Sequence, residues 1–194
     1  MSLRERVYSI LLVSASTSFS TAFSSLLPDL RYNPVYTVSS VSEAKRTITE
    51  SDFDFVIINS PLPDDDGTRF AIDTCTKKQA AVLLLVKSDI HNSIHDKVAE
   101  HGVFTLPKPT PKPTMIQALY WMESTRERLR QFEKKSLSLD EKMAEIRLVN
   151  KAKWLLISEL KMNEPDAHKY IERQAMNQCV SKKIIAEDII KTYG

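Results

Sequence analysis

The segment Asn59-Ser60-Pro61-Leu62-Pro63-Asp64-Asp65-Asp66-Gly67 places an amide, a hydroxyl and three carboxylates directly after the apolar run Phe53–Asn59. Carboxylate oxygens could hold a hard divalent cation, and Lys108, after another apolar run, could face an anion. The three aspartates are consecutive, so their side chains point in different directions. A solvated loop in which Asp66 starts a helix is the simpler reading. His91-x-x-x-His95 has the spacing of two ligands on one helical turn, but no glutamate stands between them and no third ligand is evident. A solvated helix face explains it. His101 precedes a glycine at a helix end, a common place for a cationic side chain. No serine or cysteine sits in a nucleophile elbow. Neither an enzyme nor a metal or other cofactor is expected.

Composition narrows the field further. The chain has 194 residues, 42% hydrophobic and 27% charged, with a formal net charge of +2. That is enough apolar material for one large domain or two small ones. Only three glycines occur, Gly67, Gly102 and Gly194. A dinucleotide turn or a phosphate loop of the G-x-x-x-x-G-K kind is therefore excluded, since both need glycine to bring backbone N–H groups onto phosphate. Cys75 and Cys179 form no disulfide framework and suit a reducing cytosol. The start, Arg4-Glu5-Arg6 before Val7–Val13, imitates a signal peptide faintly, but Tyr8 and Ser9 interrupt it and a first strand fits better. No stretch approaches the ~18 apolar residues of a membrane span. A cytoplasmic protein with no membrane partner is expected.

These residues must be positioned by something, and the first 110 positions supply it. Apolar runs at Val7–Val13, Val35–Val38, Phe53–Asn59, Ala81–Val86 and Val103–Leu106 are short and β-branched, as strands buried on both faces should be. Helical patterns at Thr17–Leu27, Val41–Glu50, Gly67–Lys78 and Ile90–His101 fill the intervals. The alternation predicts an α/β fold with a doubly wound, five-stranded parallel sheet. Ligands in such sheets meet the carboxyl ends of the strands, which directs attention to Ser14-Ala15, Asn59-Ser60, Val86-Lys87-Ser88 and Lys108-Pro109.

With the Lys108-Pro109 step and the proline-then-glycine loop after the third strand, residues 5–125 resemble a response-regulator receiver domain, of flavodoxin-like topology. In that family a strand-three aspartate is phosphorylated, an acidic pair after strand one holds magnesium, a hydroxyl residue after strand four senses the phosphoryl group, and a lysine follows strand five. Here Asn59 stands at the acceptor position, Ser14-Ala15 replaces the acidic pair, Val86 falls at or beside the hydroxyl position, and Lys108 is retained. An amide attacks phosphorus far less readily than a carboxylate, and none of the expected magnesium ligands is present. The resemblance therefore implies a degenerate receiver, not phosphorylated by the usual route.

After Pro113 the texture changes. From Thr114 to Tyr193 the only proline is Pro165, and no glycine occurs. Met115, Leu119, Met122, Leu129 and Phe132 recur at three- and four-residue steps, with Arg126 on the same stripe. They predict a long helix with a coiled-coil dimer seam, the alternative being a helix packed on its own sheet. Ser138-Leu139-Asp140-Glu141 reads as a capping box opening a helix to about Leu160. Asn163 with Pro165 starts another, and Ser181 caps Lys182–Tyr193. The expected divisions are a receiver-like domain over 1–118, a helical coiled-coil linker over 119–136, and an all-α three-helix bundle over 137–194. Met143, Ile146, Val149, Leu155, Leu156, Ile171, Ala175, Ile184, Ile185 and Ile189 are its expected core.

Residues 1–118 carry 12 Lys and Arg against 13 Asp and Glu, whereas residues 119–194 carry 15 against 12, a net of +3. Within the second part, VNKAKWLLISELKMNEPDAHKYIERQAMNQCVSKKIIAEDII, preceded by LDEKMAEIRL, resembles the ANTAR domain of bacterial antitermination regulators over about residues 137–192. It matches that family in Ala152-Lys153, the capped Glu164-x-x-Ala167, Gln174-Ala175-Met176 and Ile185-Ala186. It departs in Trp154, where many members have glycine, and a place in the core or an interface is expected for that ring. The resemblance implies a homodimer that binds paired hairpins in nascent leader RNA and prevents a terminator from forming. The RNA contacts expected are Lys151, Lys153, Arg173, Gln174, Lys182 and Lys183, each of which also reads as solvated surface. The receiver would offer a docking platform for a sensor or regulatory protein. A DNA-binding response regulator is a second reading, disfavoured by the bundle's spacing. A protein-interaction adaptor without nucleic-acid binding is a third, left open by the modest charge.

Overall fold

The computed structural model describes residues 6–28, 30–78 and 80–194; Arg4 and Glu5 of the leader-like start lie outside them. Five strands, β1 (Tyr8–Val13), β2 (Tyr32–Val38), β3 (Phe55–Asn59), β4 (Ala81–Lys87) and β5 (Phe104–Lys108), form one sheet in the order β2-β1-β3-β4-β5. All four pairings are parallel. The central strands are continuous apolar runs because helices cover both faces. Pro34 and Pro107 fall on β2 and β5, the two edge strands, and the β1–β2 register shifts where Pro34 sits, Tyr8 pairing with Tyr32 and Ile10 with Val35.

Alternation along the strands sorts side chains into two layers. Leu11, Val13, Val56, Ile58, Val82 and Leu84 face one core with α2 (Val41–Glu50), α3 (Thr68–Lys78) and α4 (His91–Val98). Ile10, Leu12, Phe55, Ile57, Leu83 and Leu85 face the other, against α1 (Thr17–Ser24) and the start of α5 (Lys112–Leu160). The loop before α3 needs Gly67: its φ is +79°, and a Cβ there would stand 2.8 Å from the Ile58 Cγ2.

The chain divides into two compact units after Arg130. Met115, Leu119 and Met122 are buried in the first unit's core beside Ala118. This corrects the seam expected through these three residues: the sheet of their own domain takes the stripe, so it is unavailable to a second helix. Leu129 is half-buried, and Phe132 is 61% exposed. The capping box is corrected as well. α5 runs without a break through Ser138, because residues 127–151 contain neither proline nor glycine and consist largely of good helix formers.

Ion pairing secures the first part of α5. The Asp54 carboxylate, just before β3, accepts from Arg126 Nε at 2.9 Å, Arg130 Nη2 at 2.6 Å and the Ser9 backbone N–H at 3.2 Å. Arg130 also donates to Glu127 at 2.8 Å and lies over the Tyr8 ring. Tyr8 donates to Glu127, and Tyr32 and Arg31 both donate to Glu123. Burial and then the neighbouring carboxylates push the Tyr8 hydroxyl up to about 12.

The second unit packs the end of α5 against α6 (Glu164–Gln178) and α7 (Lys182–Tyr193). Ala152, Leu156, Ala167, Ile171, Ala175, Ile185, Ala186 and Ile189 form its core. Asn163 accepts from the Asp166 N–H and Ser181 from the Ile184 N–H, as the sequence predicts for both caps. Val149 and Leu155 are half-buried, while Met143, Ile146 and Ile184 are exposed rather than core. Their helical spacing was read correctly, but those turns of α5 and α7 have no third helix covering that side. No helix among the described residues is long and apolar enough to cross a membrane.

Removing the Asp54 carboxylate leaves two guanidinium groups facing a half-buried vacancy. Asp54→Ala is expected to destabilise the first unit by about 3 kcal/mol. Urea unfolding followed through Trp121, in a Trp154→Phe background, measures it.

Candidate functional site

Parallel register brings the carboxyl ends of β1, β3 and β5 together, and three of the predicted pocket residues meet there. Asn59, the last residue of β3, is 7% exposed. Its Nδ2 donates to Ser14 Oγ at 3.0 Å, and its Oδ1 accepts from Lys108 Nζ at 2.8 Å. Lys108 also donates to the Ser60 carbonyl. Ser14 Oγ in turn donates to the Ser16 carbonyl and accepts from the Ser16 N–H, at the turn where Ser16 caps α1. Each pocket group is thus satisfied by another. Burial, then the charge on Lys87, pulls the Lys108 ammonium below the usual lysine range.

Ala15 is exposed beside this network, and Val86 is turned into the apolar layer shared with Val98 and Val103. Neither contributes a polar atom. The hydroxyl at this edge is Ser88, which donates to the Lys108 carbonyl at 2.8 Å and ties the loop after β4 to the end of β5.

The three aspartates of the loop serve its backbone. Asp64 accepts from the Val41 N–H at 3.0 Å, the Ser42 N–H at 2.9 Å and the Ser42 hydroxyl at 2.8 Å, so it caps α2 from 22 residues downstream. Asp65 accepts from the Gly67 N–H and Asp66 from the Thr68 N–H. Among the described residues no three His, Cys, Asp or Glu side chains gather where a metal ion could be held. His91 and His95 stack at 6.0 Å, and His95 Nδ1 pairs with Thr105 Oγ1 at 2.9 Å. The pocket therefore joins an ammonium, an amide and a hydroxyl in one hydrogen-bonded chain.

On the second unit the predicted contact residues separate into two kinds. Lys153 is held by Glu164 at 3.1 Å, Lys182 by Glu172 at 2.5 Å, and Lys183 lies 4.0 Å from Glu187. The Lys182 ammonium, then His168, holds the Glu172 carboxyl below its usual range. Lys153 and Lys182 line one hollow of about 270 Å³ with Glu145, Ile146 and Asn150. Gln174 is half-buried in a different groove, beside Tyr170 and Tyr193 between α6 and α7. Lys151 and Arg173 are exposed. Trp154 is exposed too, and so is not in the core. Of the two places expected for this ring, core or interface, its exposure removes the first, since an aromatic at helical spacing looks the same in either.

Comparison with known proteins places these units. Residues 138–190 match the ANTAR domain family model. The transcriptional regulatory protein PdtaR of Mycobacterium tuberculosis is 28% identical over 141 residues, covering 73% of this chain and 69% of that protein. In fold, 65% of this chain superposes on 93% of a signal receiver domain of an HD domain-containing protein from Pseudomonas fluorescens, with TM-score 0.58 and 22% identity. The chemotaxis response regulator CheY4 of Vibrio cholerae matches over 60% of this chain and 98% of its own, with TM-score 0.52 and 22% identity. The sheet is that of a receiver, and the C-terminal unit carries an ANTAR domain.

The Asp64 cap fixes a pH dependence. Its three hydrogen bonds lower the carboxyl from the ordinary value to about 2 in the folded chain. A depressed folded pKa means that the contribution to stability is complete above about pH 4. It is lost as pH falls through about 2. Carbon-13 NMR of the Asp64 carboxyl is expected to show a midpoint near 2, with the amides of Val41 and Ser42 shifting over the same range.

Proposed function

We infer, from a receiver-type fold joined to an ANTAR domain, that this chain is a transcription antitermination regulator that binds RNA. The match of residues 138–190 to the ANTAR domain is the observation that carries this reading. The ligand is proposed to be a pair of small-looped hairpins in a nascent leader transcript. Loops present unstacked bases beside phosphates, which suits a helical surface bearing lysines, arginines and amides. Lys151 and Arg173 are the freest of the six proposed contacts; Lys153, Lys182 and Lys183 would exchange a carboxylate for phosphate.

A dimer is proposed to present two such bundles, so that binding one hairpin raises the effective concentration at the other. Its support is the exposed apolar stripe that remains on α5, Phe132, Leu139, Met143 and Ile146, at heptad-like steps after Leu129. The receiver is proposed not to be phosphorylated by the usual route and to serve as a docking platform. Asn59 at the pocket centre, bonded on both sides to Lys108 and Ser14, supports that part.

A salt-titrated gel shift against a two-hairpin leader RNA from the same genome tests the RNA reading, with loop-mutated RNA and duplex DNA as controls. Loop-dependent binding without a phosphoryl donor, with log affinity falling linearly in log salt, is the expected outcome. Preference for duplex DNA, or no binding at low salt, contradicts it. For the receiver, beryllofluoride with magnesium is expected to leave the sedimentation-equilibrium mass unchanged. A clear shift in mass would mean that the pocket accepts a phosphoryl mimic after all.

A further inference from the structure

Beyond Ile146 the outward face of α5 changes character. The apolar stripe through Phe132, Leu139, Met143 and Ile146 continues in polar residues, Asn150 and Lys153, so the seam ends there. Beside that line stand Arg147, Lys151 and Trp154, at i, i+4 and i+7, which puts all three on one face of the helix. Ala152 and Leu156, fully buried against α6 and α7, occupy the opposite face. Trp154 is 70% exposed, and Arg147 and Lys151 are exposed beside it.

What marks this row is the combination of an exposed indole with neighbouring cations that have no carboxylate partner among the described residues. Lys153, Lys182 and Lys183 each lie within 4.0 Å of a carboxylate. Arg147 and Lys151 take part in no ion pair among the described residues. Their charge is therefore uncompensated beside a flat aromatic ring, and it calls for an anionic partner with an exposed planar group. Single-stranded RNA has both at once. Lys151 precedes Trp154 by three residues, about 4.5 Å along the axis, so a base on the indole brings a neighbouring phosphate to the ammonium.

We propose that Trp154, flanked by Lys151 and Arg147, is a stacking platform for one unpaired base of the RNA loop, the two cations taking adjacent phosphates. The proposal rests on the RNA-binding reading above and adds to it a named aromatic contact and a requirement that the base be unpaired. Stacking tolerates any base but demands an open face, so the platform distinguishes loop from duplex rather than one sequence from another.

The full chain carrying Trp121→Phe has Trp154 as its single tryptophan. Titration with a hairpin RNA bearing a single-stranded loop is expected to quench its fluorescence strongly, and a fully paired RNA of equal length far less. Trp154→Leu is expected to weaken loop binding about tenfold or more. The salt slope should stay unchanged in that variant, and Trp154→Phe should recover part of the affinity. Lys151→Ala instead is expected to lower the slope by about 0.7. Loop binding without quenching, and at unchanged affinity in Trp154→Leu, overturns the platform and leaves the RNA reading standing. A Trp154→Leu variant that sediments as a smaller species than the parent makes this ring a contact between copies and overturns it as well. No RNA binding by the unsubstituted chain at low salt overturns both readings together.

Discussion

The Asp54 carboxylate, shared between Arg126, Arg130 and the Ser9 N–H, is the contact through which the first unit holds its last helix. Met115, Ala118, Leu119 and Met122 supply the apolar burial that drives α5 onto the sheet. Burial has no direction of its own, though, and a helix with a heptad-like stripe could slide by a turn. Two arginines one turn apart on one acid fix the rotation and the position along the axis. Glu123 and Glu127, held by Tyr32, Arg31 and Tyr8, repeat the constraint on the neighbouring strands. The first unit ends at Arg130.

At the other end of the same strands, the pocket is held together by an amide that both accepts and donates. A carboxylate at position 59 would accept hydrogen bonds only, leaving the Ser14 hydroxyl to donate and Lys108 to neutralise. The Asn59 amide both accepts and donates, so it closes a chain from Lys108 to Ser14 without a carboxylate. A lysine kept beside an amide is drawn toward neutrality by burial and by Lys87, with no acid to restore it. Asn59 is here a piece of hydrogen-bonded structure.

Much of this was legible from residue order. The apolar runs Phe53–Asn59 and Val103–Leu106 are short and meet polar residues, so Asn59 and Lys108 read as the ends of β3 and β5. Asn163 and Ser181 each act on an N–H three residues ahead, and local caps are read locally. Most of what residue order does not show has one cause, which is that the partner lies far away in sequence. A three-and-four stripe at Met115, Leu119 and Met122 records that something apolar covers it, not whether that is a sheet or another helix. Asp54 and Arg126 are 72 positions apart, and Asp64 caps a helix that starts 23 residues earlier. Ser138 fails differently: a capping box states a preference, and a helix already formed on both sides overrides it.

The scarcity of glycine has a consequence for the helical unit. Lys161 and Cys179 close α5 and α6 with φ values of 53° and 52°, in the left-handed region that glycine usually fills. Each such residue costs about 1 kcal/mol relative to an unstrained turn, in a unit whose core is only eight buried residues. Thermal robustness and surface chemistry are therefore adjustable separately. The two turn residues bear on the first, while the outward row of α5 bears on the second and holds neither of those left-handed residues. A bundle built this way can change what it recognises without renegotiating how it folds.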